Sequence, residues 1–133
     1  MKTRPMLTLE DCRRISTAAE AEAKKNNWNV CIAILDDGGH LLHLVRMDDA
    51  SPANARIAME KGRTAAESRR SSAVWEERIK AGRNSMLGMP GITPVQGGLP
   101  IIVEGICVGG VGVSGVQSHE DEQIAAAGIK VLG

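Results

Sequence analysis

The sequence predicts an α+β domain on a mainly antiparallel sheet, and three observations carry that expectation. A short apolar block, Val30-Cys31-Ile32-Ala33-Ile34-Leu35, meets Asp36-Asp37-Gly38-Gly39 and then a second β-rich run, which reads as a hairpin. A second pair of β-rich runs, residues 99–104 and 107–114, flanks a turn at Gly105. Helical periodicity occupies the two ends of the chain and the stretch between the hairpins, giving the order helix, hairpin, two helices, hairpin, helix.

Thr8 opens the first helix, because its hydroxyl can accept from the early N–H groups and Asp11, three residues on, completes a capping box. Cys12, Ile15, Ala18, Ala19 and Ala23 then recur at helical spacing to about Lys25, where Asn26 and Asn27 end the run. In the returning strand, residues 40–47, period two puts His40, Leu42, Leu44 and Arg46 on one face and Leu41, His43, Val45 and Met47 on the other. Ser51-Pro52 is a helix start, with proline at the first helical position. The helix that follows, to about Glu67, carries Ala55, Ala58, Met59, Gly62, Ala65 and Ala66 as a small-residue face. Ser71 or Ser72 restarts a shorter helix around Val74, Trp75 and Ile79.

From Arg56 to Arg83, eight basic residues (Lys61 among them) stand against four acidic ones, which reads as a solvated face or an anion-binding rim. Residues 81–98 are broken by Gly88, Pro90, Gly91, Pro94, Gly97 and Gly98, so a long loop with at most a short edge strand is expected. Gly109, Gly110, Gly112 and Gly115 strip bulk from the last strand, so another backbone, a subunit or a flat ligand can approach it. Ser118, with Asp121 at the capping-box position, opens the last helix.

At 133 residues the chain is one domain's worth, spanning 1–133. Aromatics are 2% of it and Tyr and Phe are absent, so a base-stacking platform lacks its material. The formal net charge is +0, which removes long-range steering of nucleic acid and eases self-association. No apolar run reaches the roughly 18 residues of a membrane helix, and Glu10, Asp11, Arg13 and Arg14 interrupt the basic N-terminus before any signal-like hydrophobic block. No membrane partner and a cytoplasmic location are expected. Cys12, Cys31 and Cys107 show no CxxC spacing and read as buried small hydrophobes, with a nucleophilic or ligating Cys as the minority reading.

Four blocks in order carry a family likeness: Asp37-Gly38-Gly39-His40-Leu41-Leu42-His43-Leu44-Val45-Arg46-Met47-Asp48-Asp49-Ala50; Ala58-Met59-Glu60-Lys61-Gly62-Arg63-Thr64-Ala65-Ala66; Gly97-Gly98-Leu99-Pro100-Ile101; and Val108-Gly109-Gly110-Val111-Gly112-Val113-Ser114-Gly115, with Asp121 and Ala125 beyond. Over residues 7–132 the chain resembles the GlcG/HbpS-like family, also described as haem-degrading-domain or PduO C-terminal-like. The resemblance implies a five-stranded antiparallel sheet flanked by helices and assembly into dimers, tetramers or octamers. It also implies a place beside bacterial operons for small organic compounds, with some members binding haem and some linked to cobalamin metabolism. Asp49 stands where the family pattern has Gly, and Gly62 where Ala is usual. Haem-binding relatives can place an axial histidine in the first helix. That helix has no His or Tyr here, which leaves His40, His43 or His119 to serve.

Candidate site residues follow from chemistry near the breaks in structure. Arg46 can bind a carboxylate through two parallel donors, with Asp48 or Asp49 orienting it or acting as a base; the bland alternative is an Arg–Asp pair locking the loop. Arg63 would add a second cation, Gly97-Gly98 would enclose the ligand, and Asp121 would contact it unless it only caps a helix. His119 is the candidate proton carrier. Catalytic roles would thus fall to His119, Asp48 and Asp49. His40 and His43 fall on opposite strand faces, and no HxH or HExxH occurs, so no metal site is expected. The glycines of residues 109–115 lie inside a hairpin strand, outside the βαβ context of a dinucleotide loop.

The resulting expectation is a small-molecule-binding or accessory protein of a bacterial catabolic pathway. Its partner would be a small organic anion or aromatic compound, no cofactor is required, and a homo-oligomer is expected. Two alternatives stand beside it: a cofactor-independent enzyme acting on a small carboxylated or aromatic degradation intermediate, and a haem-binding protein.

Overall fold

The computed structural model describes residues 1–133. Helix α1 (Leu9–Lys25) begins at the Thr8 capping box and stops at Asn26. Strands β1 (Cys31–Asp36) and β2 (Leu41–Arg46) form the first hairpin. Helices α2 (Ala53–Ser68) and α3 (Ser72–Lys80) follow, then a 3-10 turn over Asn84–Gly88. Strands β3 (Gly98–Val103) and β4 (Ile106–Ser114) make the second hairpin, and α4 (Ser118–Ile129) closes the fold.

The sheet runs in the order β2-β1-β4-β3, antiparallel throughout. Register divides its two faces. Ile32 pairs with Val113 and Ile34 with Val111, and this face packs on Ile15 and Ala19 of α1 and Ile124 and Ala125 of α4. Ala33 pairs with Gly112 and Leu35 with Gly110, and this opposite face receives α2. A Cβ at Gly112 would lie 1.9 Å from the Ala58 carbonyl oxygen, and one at Gly62 would lie 2.9 Å from the Gly112 nitrogen. The glycine-rich strand is therefore the seat of α2: of the three occupants the sequence left open there, the helix backbone takes the space.

The sheet has four strands, not the five that the family resemblance implied. Residues 89–97 supply no fifth because other elements claim their backbone. Thr93 donates its N–H to the Thr64 hydroxyl at 2.8 Å, Gln96 donates to the Glu76 carboxylate at 3.3 Å, and the Val95 carbonyl accepts from the Ser72 hydroxyl at 2.6 Å. Pro90 and Pro94 have no N–H to give a ladder.

Three local expectations also change. Helix α2 starts at Ala53 with Pro52, not Ser51, in the N-cap place and no side-chain cap. A bulge between Ile34 and Leu35 pairs Leu41 with Leu35 and His43 with Ile34, leaving Leu42 as the extra residue. Strict alternation therefore fails, and Leu41 leaves the face of His43 and Val45. Helix α4 opens at Gln117, whose N–H donates to the Glu120 carboxylate at 3.1 Å, one residue earlier than Ser118 with Asp121, and Asp121 lies buried.

Candidate functional site

Arg46 ends β2, opposite Cys31 across the hairpin, and its side chain is exposed. It borders a cavity of about 340 Å³ with Glu20 and Lys24 of α1, Asn29, and Val45 to Asp49. Neither Asp48 nor Asp49 forms an ion pair with Arg46, so neither the oriented fork nor the locking pair is present. Three carboxylates and two cations line this largely polar space. Asp49 holds φ at 68°, in the left-handed region where the family's glycine is at ease.

The other candidates lie elsewhere. Arg63 pairs with Glu60 and with Glu67 at 3.8 Å, and the hydrogen bond that it donates to Glu60 raises its pKa. Its side chain packs beside Gly39 in the β1–β2 turn, at the far end of the hairpin from Arg46. His119 is exposed in the first turn of α4 and does not line the Arg46 cavity. His40 is exposed beside Asp36, its Nδ1 3.3 Å from Oδ1.

Gly97, Gly98 and Asp121 meet in a place the sequence did not suggest, around Lys61. The Lys61 ammonium donates to Asp121 Oδ2 at 2.9 Å and to the Val113 carbonyl at 3.1 Å, and Asp121 Oδ1 accepts from the Val116 N–H at 3.1 Å. Both side chains are almost wholly buried, at 3% and 2% exposure. Burial pushes the Asp121 carboxyl above the usual carboxylate range, and Lys61 and the Val116 N–H offset only part of that. A Cβ on Gly98 would lie 2.1 Å from the Lys61 carbonyl oxygen, so the glycine pair is closed onto α2 rather than poised over a pocket. Lys61 reads as a solvated charge by composition, yet positions 58, 61, 62 and 65 lie on one helical stripe. That spacing was the available signal.

A larger and more apolar cavity lies where the two chain ends meet. It measures about 460 Å³ and is walled by Pro5, Met6 and Leu7, by Val103 and Val108 of the second hairpin, and by Val131 to Gly133. Asp11 and Arg14 of α1 supply its charge. The Asp11 carboxylate accepts from the Thr8 N–H and hydroxyl, both at 2.9 Å, and the backbone bond holds its pKa below the usual carboxylate range. Arg14 donates to the Val131 carbonyl at 2.7 Å, pinning the C-terminal segment to α1. An adjoining cavity of about 420 Å³ shares Arg14 and Val131 and adds Glu10, Arg13, Thr17, Ala18 and Ala21. No pattern in the sequence connects residues 5–7 with 131–133, and this site was missed.

No group of three or more His, Cys, Asp or Glu side chains converges on a metal-sized space, and no helix is long and apolar enough to cross a membrane.

Fold and cavities together define a small α+β protein whose antiparallel sheet lies between two helical layers. The chain belongs to the HbpS-like family: the family model described as "Haem degrading protein HbpS-like" matches residues 7–130. It is similar to Protein GlcG of Escherichia coli (strain K12), 47% identical over 114 residues that cover 86% of this chain and 85% of GlcG. It superposes on a double mutant of HbpS from Streptomyces reticuli with a TM-score of 0.92 at 32% identity, covering 100% of this chain and 91% of that one. The PduOC:heme complex matches with a TM-score of 0.86 at 24% identity, over 95% of this chain and 94% of that one, a likeness of fold.

Proposed function

We propose that this chain is a binding protein for a bulky apolar organic acid of the haem type, held where its two ends meet. The observation that carries the reading is the cavity of about 460 Å³, walled mainly by hydrophobic residues, with the Arg14 guanidinium and the Asp11 carboxylate at its edge. That volume falls within the roughly 300–1,000 Å³ of small-molecule sites, which combine apolar walls with a few polar anchors. The names of the relatives support haem over a small hydrophilic acid, since one neighbour is a heme complex and the family description is of haem degradation.

The residues fit the periphery of such a group. Val103, Val131 and Leu132, the partly exposed part of the wall, would face the macrocycle edge, and Arg14, with Arg13 one residue before it, would meet its carboxylates. When bound, haem supplies redox and ligand-exchange chemistry of its own. The part of this chain is to exclude water from one side of the group and to neutralise its acids.

The small-anion reading centred on Arg46, with Arg63, Gly97, Gly98 and Asp121, draws less support, because those residues do not share one cavity. Catalysis by His119 with Asp48 and Asp49 would need a common space that they do not form. We also propose a homo-oligomer, in which a second copy covers the open edge of β2 and the exposed Leu41, Leu42 and Ile57. Light scattering that gives the mass of one chain at micromolar concentration would rule that out.

Titration with hemin, followed by absorbance, tests the ligand. Saturation at one per chain is expected, with Arg14→Gln weakening binding about tenfold, the scale of one hydrogen bond to a charged group, and Arg46→Ala leaving it unchanged. No saturable binding, or loss through Arg46→Ala, would overturn the reading.

A further inference from the structure

We infer that this site is blind to the metal: it recognises the macrocycle and its carboxylates and leaves iron unligated by the protein. The inference rests on the binding site proposed above and concerns the donors around it.

Iron in haem takes its protein ligand from histidine, a cysteine thiolate, tyrosine, or methionine paired with histidine. None of the three histidines lines either adjoining cavity. His40 sits in the β1–β2 turn beside Asp36, His43 half-buried on the edge strand opposite Ile34, and His119 at the start of α4. The chain has no Tyr. Cys12 and Cys31 are fully buried in the two cores, and the Cys107 thiol is turned to the Ala66 and Gly109 carbonyls. Three weaker donors remain at the two cavities. The Asp11 carboxylate is already engaged by the Thr8 N–H and hydroxyl, Glu10 is exposed and borders only the adjoining cavity, and Met6 stands 83% exposed on the segment ahead of α1.

Binding free energy therefore comes from apolar contact with Val103, Val131 and Leu132 and from hydrogen bonds donated by Arg14. These contributions are the same for hemin and for metal-free protoporphyrin. The ligand class is accordingly a large, flat, apolar dicarboxylate with or without a metal, and iron in the bound haem stays open to small exogenous ligands.

Paired titrations of the full chain with hemin and with protoporphyrin IX test this. We expect dissociation constants within about threefold of each other, under 1 kcal/mol. We also expect a hemin spectrum unmoved by His40→Ala, His43→Ala, His119→Ala or Met6→Leu, and shifted by added imidazole. Hemin binding more than about tenfold tighter, with that margin lost in any one of the four variants, would overturn the inference while leaving haem binding intact. Failure of both macrocycles to bind would overturn the site itself and the inference with it.

Discussion

Lys61→Met is expected to destabilise the protein by about 3–5 kcal/mol, the range for removing one partner of a buried ion pair. The substitution keeps most of the side-chain volume but strands the Asp121 carboxylate, which retains only the Val116 N–H at 3.1 Å. Against a total of about 5–15 kcal/mol for a domain, this is a large fraction, visible as a fall of the denaturation midpoint in urea at unchanged slope. The loss should depend on pH. Burial holds the Asp121 carboxyl above its ordinary range, and Lys61 works against that. Without Lys61 the carboxyl titrates higher still. A folded-state pKa above the unfolded value means that the native state holds the proton more tightly. Stability then falls as pH rises between the two values and stays reduced above them. That window is wider in the variant, so the gap to wild type is greatest at neutral pH and narrows toward about pH 4, near the unperturbed carboxylate value. A gap that widens on acidification would contradict the assignment.

Gly112→Ala carries the second large effect. The added methyl would stand 1.9 Å from the Ala58 carbonyl oxygen and 2.4 Å from the Gly62 nitrogen. Both neighbours are backbone, so no rotamer change relieves the contact and α2 must lift from the sheet. Overpacking of side chains costs about 1–3 kcal/mol and occasionally more; contact with helix backbone puts this change at or above the upper end. Gly88→Ala, in the 3-10 turn with nothing within 4 Å of the new methyl, is the control and should stay within about 0.5 kcal/mol. Chemical denaturation of the two variants side by side decides the matter, and equal midpoints would contradict the close seating of α2 on β4.

Local chemistry was legible in the sequence where a residue's role is settled within a few positions. The Thr8–Asp11 capping box sets the start of α1, and Ser71 caps α3 as expected, accepting from the Ala73 N–H. Both hairpins fall within a residue or two of the expected places. What failed depended on partners distant in the chain. Lys61 counted as a solvated cation because its partner is 60 positions away. Asp121 looked like a cap because the same long-range partner, Lys61, is invisible from its neighbours in the chain. The fifth strand was lost to Thr64, Ser72 and Glu76, whose side chains bind residues 93–96 before any ladder can. The site divided in the same way. Arg46 and its aspartates are neighbours in sequence and share a cavity, but Arg63, His119 and the Gly97-Gly98 pair were joined to them by chemical type alone. The cavity at the chain ends is built from pieces over a hundred residues apart, as the Arg14–Val131 bond shows.

Hydrogen exchange read by mass spectrometry, with and without protoporphyrin IX at saturating concentration, tests most directly where the ligand sits. A bound macrocycle slows exchange in the backbone it covers and leaves distant segments alone. Binding between the chain ends predicts new protection in residues 5–18, 103–108 and 130–133, with residues 45–49 unchanged. Protection confined to residues 45–49 and 20–29 would place the ligand beside Arg46 and contradict the account.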